Sequence, residues 1–107
     1  MTPPSEAEFQ QQVVDLCAIY GWRHMHVRRS IGKAQRWTTA TNVTGWPDLV
    51  IWKPGRRVMF RELKTDRGKL TPEQVDVLDS LRAAGADADV WRPGHLDSGR
   101  IQAELAR

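Results

Sequence analysis

Gly45-Trp46-Pro47-Asp48-Leu49-Val50-Ile51-Trp52, then Lys53-Pro54-Gly55-Arg56, then Arg57-Val58-Met59-Phe60-Arg61-Glu62-Leu63-Lys64, is the stretch that decides the architecture of this chain. Leu49–Trp52 is a β-rich run, residues 53–56 carry turn chemistry, and Arg57–Arg61 reads as the returning strand. With residues 54–56 as the loop, position 53 faces 57, 52 faces 58, 50 faces 60 and 48 faces 62. Asp48 and Glu62 are then direct cross-strand neighbours, with Cβ atoms roughly 5 Å apart. Lys64, two residues beyond Glu62, falls on the same face. The rest of that face reads Val50, Trp52, Val58 and Phe60, which is apolar. Two carboxylates and an amine at the end of an apolar face break the binary pattern, and such breaks are expected at functional sites.

Two adjacent carboxylates repel unless a cation sits between them. Hard oxygen ligands at this spacing suit Mg²⁺ or Mn²⁺, and Mg²⁺ commonly binds one or two carboxylates while keeping several waters. Such a cation makes a neighbouring water more acidic, and a nearby ammonium can orient that water or stabilise charge developing on a phosphate. The constellation points to metal-dependent phosphodiester hydrolysis. The plainer reading is a surface hairpin with a cross-strand salt bridge, which calls for neither the second acid nor the long basic segment leading to Pro47-Asp48.

Pro47-Asp48 followed by Glu62-Leu63-Lys64 resembles the PD-(D/E)xK nuclease signature. Ser5-Glu6 … Phe9-Gln10, Gly21-Trp22, Gly45-x-Pro47-Asp48-Leu49 and Thr71-Pro72-Glu73-Gln74 resemble the VRR-NUC family in particular, over roughly residues 5–92. The resemblance implies a restriction-endonuclease-like α/β core, with Asp48, Glu62 and the backbone carbonyl of Leu63 holding metal and Lys64 serving the nucleophilic water. It implies a metal-facing role for Glu6 on the first helix and a contact of Gln74 with the metal's water or a phosphate. Stand-alone members, common in phages and bacteria, are similar to Holliday-junction resolvases. The resemblance therefore implies a homodimer acting on branched DNA in DNA repair. The alternatives are a nickase, an exonuclease or a restriction-type nuclease on the same fold, or a non-catalytic DNA-binding module.

The remaining segments arrange a small core around this hairpin. Ser5 can cap a first helix, with Glu8 completing a capping box and Gly21 ending it after Tyr20. Its stripe is Phe9, Val13, Leu16, Cys17 and Tyr20, and at ~100° per residue Glu6 lies about 35° from the stripe's centre and Glu8 about 125° away. Glu6 is thus expected to face inward and Glu8 outward, although the helix dipole alone would also favour an acid at Glu6. Trp22–Val27 reads as a strand whose His24 and His26 lack obvious partners for a metal site. Thr71, Pro72 and Gln74 start a second long helix with a cap, a first-position proline and a capping-box glutamine, and Leu70 and Val75 match a hydrophobic staple. That helix runs to Gly85. Ala88–Trp91 is a last strand, and Gly94-His95-Leu96 leads into a short helix that tucks Ile101 and Leu105 back. The order predicts an α/β fold with a small mixed sheet of about four strands flanked by helices.

Between the first strand and the hairpin, residues 28–46 show no sustained periodicity. They hold Arg28, Arg29, Lys33 and Arg36, no acid, and Trp37 with Thr38, Thr39 and Thr41. Basic, aromatic and hydroxyl side chains together suit a phosphate backbone or an unstacked base, and long irregular segments in small domains are commonly functional or disordered. Lys64–Lys69 forms a second basic turn on the same rim, adding Lys69 to the candidate DNA contacts.

At 107 residues the chain reads as one nuclease-like domain over 1–107. A net charge of +3 and a pI near 9.5 suit an anionic partner. A lone cysteine, Cys17, excludes an internal disulfide and a cysteine-rich zinc site, and is expected to be a core filler. With no signal-like segment and no long apolar run, the expectation is a protein without membrane association, placed in the cytoplasm (of a host cell if phage-encoded). A core this small favours self-association, and a homodimer would present two sites to two strands.

Overall fold

A computed structural model describes residues 2–27, 30–31, 37–38 and 42–107. The elements in chain order are α1 (Glu6–Ile19), β1 (Arg23–His26), β2 (Ser30–Ile31), β3 (Trp37–Thr38), β4 (Leu49–Trp52), β5 (Met59–Leu63), α2 (Pro72–Ala83), β6 (Asp87–Trp91), α3 (Pro93–Asp97) and α4 (Arg100–Leu105). Four strands form a mixed sheet in the order β1-β4-β5-β6. β1 and β5 run antiparallel to β4, and β6 runs parallel to β5. The parallel step needs a crossover, and α2 supplies it. β2 and β3 pair antiparallel as a separate two-stranded unit inside the segment that showed no sustained periodicity. No helix among the described residues is long and apolar enough to cross a membrane.

The hairpin register is the one that the turn dictates: Leu49 pairs with Arg61, Val50 with Phe60 and Ile51 with Met59. The returning strand starts later than expected, at Met59, because Arg57 and Val58 lie exposed between the turn and the ladder. β1 is also shorter than Trp22–Val27. Gly21 adopts φ 82°, which turns Trp22 into the core, where its indole Nε1 donates to the Leu105 carbonyl at 2.8 Å.

One face of the sheet carries Leu49, Ile51, Met59, Leu63 and Trp91. It packs against Phe9, Val13 and Cys17 of α1 and Ile101 and Leu105 of α4. Burial pushes the Cys17 thiol up to about 11, as expected of an apolar filler. The face bearing Val50, Phe60 and Glu62 looks the other way, and the first turn of α2 reaches it through Gln74.

The core face also holds a charge that the alternating pattern did not reveal. Arg61 is 1% exposed, yet it sits between Met59 and Leu63. Its Nη2 donates to Asp87 Oδ1 at 2.9 Å and to Glu104 Oε1 at 2.7 Å, its Nη1 donates to the Asp87 carbonyl at 2.9 Å, and its guanidinium carbon lies 5.0 Å from the Trp91 ring centroid. Glu104 accepts further bonds from Trp91 Nε1 and Arg100 Nε. This network fastens α4 to β5 and β6. Burial pushes the Glu104 carboxyl up, but the hydrogen bonds from Arg61 and Arg100, with the Arg61 charge, hold it below the ordinary carboxylate range.

Removing one partner of a buried ion pair costs about 3–5 kcal/mol. Glu104→Gln leaves Arg61 paired with Asp87, so the lower end of that range is expected in a denaturant titration. The sign of the pH effect follows from the depressed carboxyl. The contribution of Glu104 is complete above the ordinary carboxylate range and disappears as pH falls through its native pKa. The acid limb of stability against pH should therefore be shallower in Glu104→Gln, and an unchanged limb would contradict the assignment.

Candidate functional site

Asp48 stands at the mouth of β4, after a buried Pro47, and is half-buried. Its carbonyl accepts from the Val27 N–H at 2.8 Å, and its Oδ2 accepts from the Leu63 N–H at 3.0 Å. The residue is thus tied to both neighbouring strands. It extends the hairpin register by one pair, opposite Glu62, as the turn predicts. Glu62 is 2% exposed, and its Oε1 accepts from Gln74 Nε2 at 3.3 Å. Lys64 follows β5, half-buried, with its backbone N–H bonded to the Trp91 carbonyl at 3.1 Å.

Gln74 serves two elements at once. Thr71 caps α2, its Oγ1 accepting from the Gln74 N–H, while the Thr71 N–H donates to Gln74 Oε1 at 2.9 Å. A backbone N–H can only donate, so the amide oxygen must face Thr71 and the amide nitrogen must face Glu62. The capping box therefore sets the side-chain orientation that holds the Glu62 carboxylate. Both are buried, so the bond forms away from competing water.

Gly45 explains the start of the Gly-x-Pro-Asp run. Its φ is +90°, and a Cβ there would lie 2.5 Å from the Glu73 carbonyl carbon and 2.8 Å from the Gln74 nitrogen. The loop that delivers Asp48 therefore lies directly on the backbone of the turn that delivers Gln74. Trp46 meets Phe60 edge-on, with centroids 5.6 Å apart, and closes the same side.

The segment after Lys64 is held by a residue that no local spacing pointed to. Arg92 Nη1 donates to the carbonyls of Thr65 at 2.6 Å and Gly68 at 2.7 Å, and Asp66 Oδ1 accepts from the Gly94 N–H at 2.8 Å. The loop therefore leaves β5 in a fixed direction, with Arg67 and Lys69 exposed on it.

The first-turn acids divide differently from expectation. Glu8 completes the capping box with Ser5, and the Ser5 backbone N–H and hydroxyl hold its carboxyl below the ordinary range. Glu6 was expected to face inward but is exposed. Its azimuth is near that of the stripe, yet α1 is covered only from Phe9 onward, so the first turn projects past the packed region. Among the described residues no three His, Cys, Asp or Glu side chains gather into a metal-holding group, so Glu6 is not brought together with Asp48 and Glu62. Arg28, Arg29, Lys33 and Arg36 lie outside the described residues.

An acid at the mouth of one strand, facing a Glu-x-Lys at the end of its antiparallel neighbour, is the layout expected of PD-(D/E)xK nucleases. The family model of the VRR-NUC domain matches residues 5–93, and the chain belongs to that family. It is a nuclease domain of the PD-(D/E)xK type, with DNA as its substrate. No curated protein matches the chain, and no solved structure does.

Gly45→Ala forces both a left-handed backbone and a clash with α2. It should lower the unfolding free energy by roughly 1–3 kcal/mol. Amide exchange at Leu63 should quicken as the Asp48 bond loosens. Wild-type stability and exchange would show that the loop and helix are not coupled through Gly45.

Proposed function

We propose that this domain is a Mg²⁺- or Mn²⁺-dependent, structure-selective DNA endonuclease that cuts Holliday junctions or other branched DNA as a homodimer. The observation that carries the reading is the pairing of Asp48 with Glu62 across the hairpin, each locked by a neutral donor, Leu63 N–H and Gln74 Nε2 respectively. These donors fix where the carboxylates lie without neutralising them.

The donor set fits a hard divalent cation. Asp48 and Glu62 offer oxygen only, the Leu63 carbonyl adds a third oxygen from the same strand, and no sulfur or imidazole is part of the set. Two carboxylates are what Mg²⁺ commonly takes from protein. When bound, the cation supplies Lewis acidity toward the scissile phosphate and its attacking water. Lys64 orients that water and stabilises charge on the phosphate oxygens. The water oxygen bonds to phosphorus and gives up a proton to solvent, the P–O bond to the leaving strand breaks, and the leaving oxygen takes up a proton from solvent. Gln74 keeps the Glu62 carboxylate from rotating. Glu6, exposed at the start of α1, joins the site only if DNA or cation binding draws it in. Arg28, Arg29, Lys33, Arg36 and Lys69 hold phosphates along both arms of a branch. Two copies, each with one such rim, suit a symmetric junction.

Cleavage of a labelled four-way junction and its component duplexes, with Mg²⁺, Mn²⁺ or EDTA, tests this directly. Junction cutting should require the cation and exceed duplex cutting. Asp48→Asn, Glu62→Gln and Lys64→Ala should each slow it by at least about a hundredfold while DNA binding persists. Near-wild-type cutting by Glu62→Gln would sink the site, and equal cutting of junction and duplex would sink the selectivity. Glu6→Gln at wild-type rate would remove Glu6 from the chemistry.

A further inference from the structure

Beyond the buried Val50, the sheet face that carries Asp48 and Glu62 ends in a partly exposed patch. Trp52 is four residues along β4 from Asp48, on the same face and about 13 Å away at ~3.3 Å per residue. It is half-buried, and its cross-strand partner is Arg23 of β1, whose guanidinium carbon lies 5.5 Å from the indole centroid. Met25, opposite Val50, is 51% exposed, and Val58, at the far end of the hairpin, is 45% exposed. The main apolar cluster lies on the other side of the sheet, and on this side Val50 and Ala88 are buried while Met25 and Val58 stay exposed.

The chemistry selects the occupant. A half-buried indole with a guanidinium over it offers an aromatic edge and a planar stacking surface with a charge for phosphate, and a methionine thioether adds a polarisable flank. Arg23 is exposed on β1, where its guanidinium is within reach of an anion. A base inside a duplex has its faces covered by its neighbours, whereas an unpaired base at a flap or an opened branch point leaves a face free. We propose that Arg23, Met25 and Trp52 form a shelf on which an unpaired base stacks close to the scissile phosphate. This inference rests on the nuclease reading and gives it a source of selectivity: the shelf rewards unstacked bases and offers nothing to paired ones.

Equilibrium binding in EDTA separates the shelf from the chemistry. The probes are a labelled duplex with a three-nucleotide flap and a fully paired duplex of the same length. The variants are Trp52→Leu, Trp52→Phe and Met25→Glu, each checked for folding by thermal melting. The wild type should prefer the flap. Trp52→Leu and Met25→Glu should lose about tenfold or more in flap affinity, with duplex affinity little changed, and Trp52→Phe should keep most of it. The exposed Met25 position serves as the second probe should Trp52→Leu fold poorly. Unchanged flap preference in Trp52→Leu and Met25→Glu would overturn the shelf while leaving the nuclease reading intact. Equal loss on both DNAs, with a dimer-to-monomer change in sedimentation, would assign the face to a second copy and overturn the shelf. A wild-type protein that binds neither DNA would bring down the nuclease reading and the shelf together.

Discussion

The antiparallel register of β4 and β5 is the constraint on which the site depends. A strand pair has a side-chain period of two, so a slip of one residue would send every side chain of one strand to the other face. Here the slip would put Glu62 into the apolar core and Leu63 at the site. The register is secured from three directions. Leu49, Ile51, Met59 and Leu63 must all face α1, the Pro54-Gly55 turn sets the loop length, and the Leu63 N–H closes on the Asp48 carboxylate. The same bond that completes the hairpin aims one of the two acids. Fold and site therefore share one register, and a sequence change that shifts it would lose both.

Around that hairpin, the second acid is positioned by helix capping. An N-cap box is an ordinary device for satisfying the free N–H groups at a helix start. In α2 it also fixes the amide of Gln74, whose other end holds Glu62. Gly45 lets the Asp48 loop approach that turn more closely than any side chain would permit. Two acids from one hairpin and one amide from a crossover helix thus form a rigid unit. Arg92 extends it by holding the loop beyond Lys64 through two carbonyls. Rigidity matters because hydrolysis of a phosphodiester depends on placing water, phosphate and charge within narrow tolerances.

Much of this was legible in the sequence because its signals are local. The hairpin register follows from strand alternation and the turn at 53–56. The start of α2 follows from Thr71, Pro72 and Gln74, and that of α1 from Ser5 and Glu8. What was not legible depends on partners far apart in the chain. Nothing local in the sequence marks Arg61 as buried, since its burial depends on Glu104, 43 positions later, and on Asp87. Arg92 carried no mark of its role, since the carbonyls it binds belong to Thr65 and Gly68. Glu6 had the right azimuth for an inward residue, but azimuth does not tell how far along a helix the packing extends. The β2–β3 pair was hidden because two-residue strands are too short to show alternation.

If the hairpin brings Asp48 and Glu62 together as a cation site, the native state must bind divalent metal and the unfolded chain must not. A ligand that binds only the native state raises the melting temperature progressively with its concentration. The most direct measurement is therefore the melting temperature against Mn²⁺ concentration for the wild type, Asp48→Asn and Glu62→Gln, in the absence of DNA. The account predicts a rising curve for the wild type and flat curves for both variants. A flat wild-type curve, or a rise retained in both variants, would contradict it.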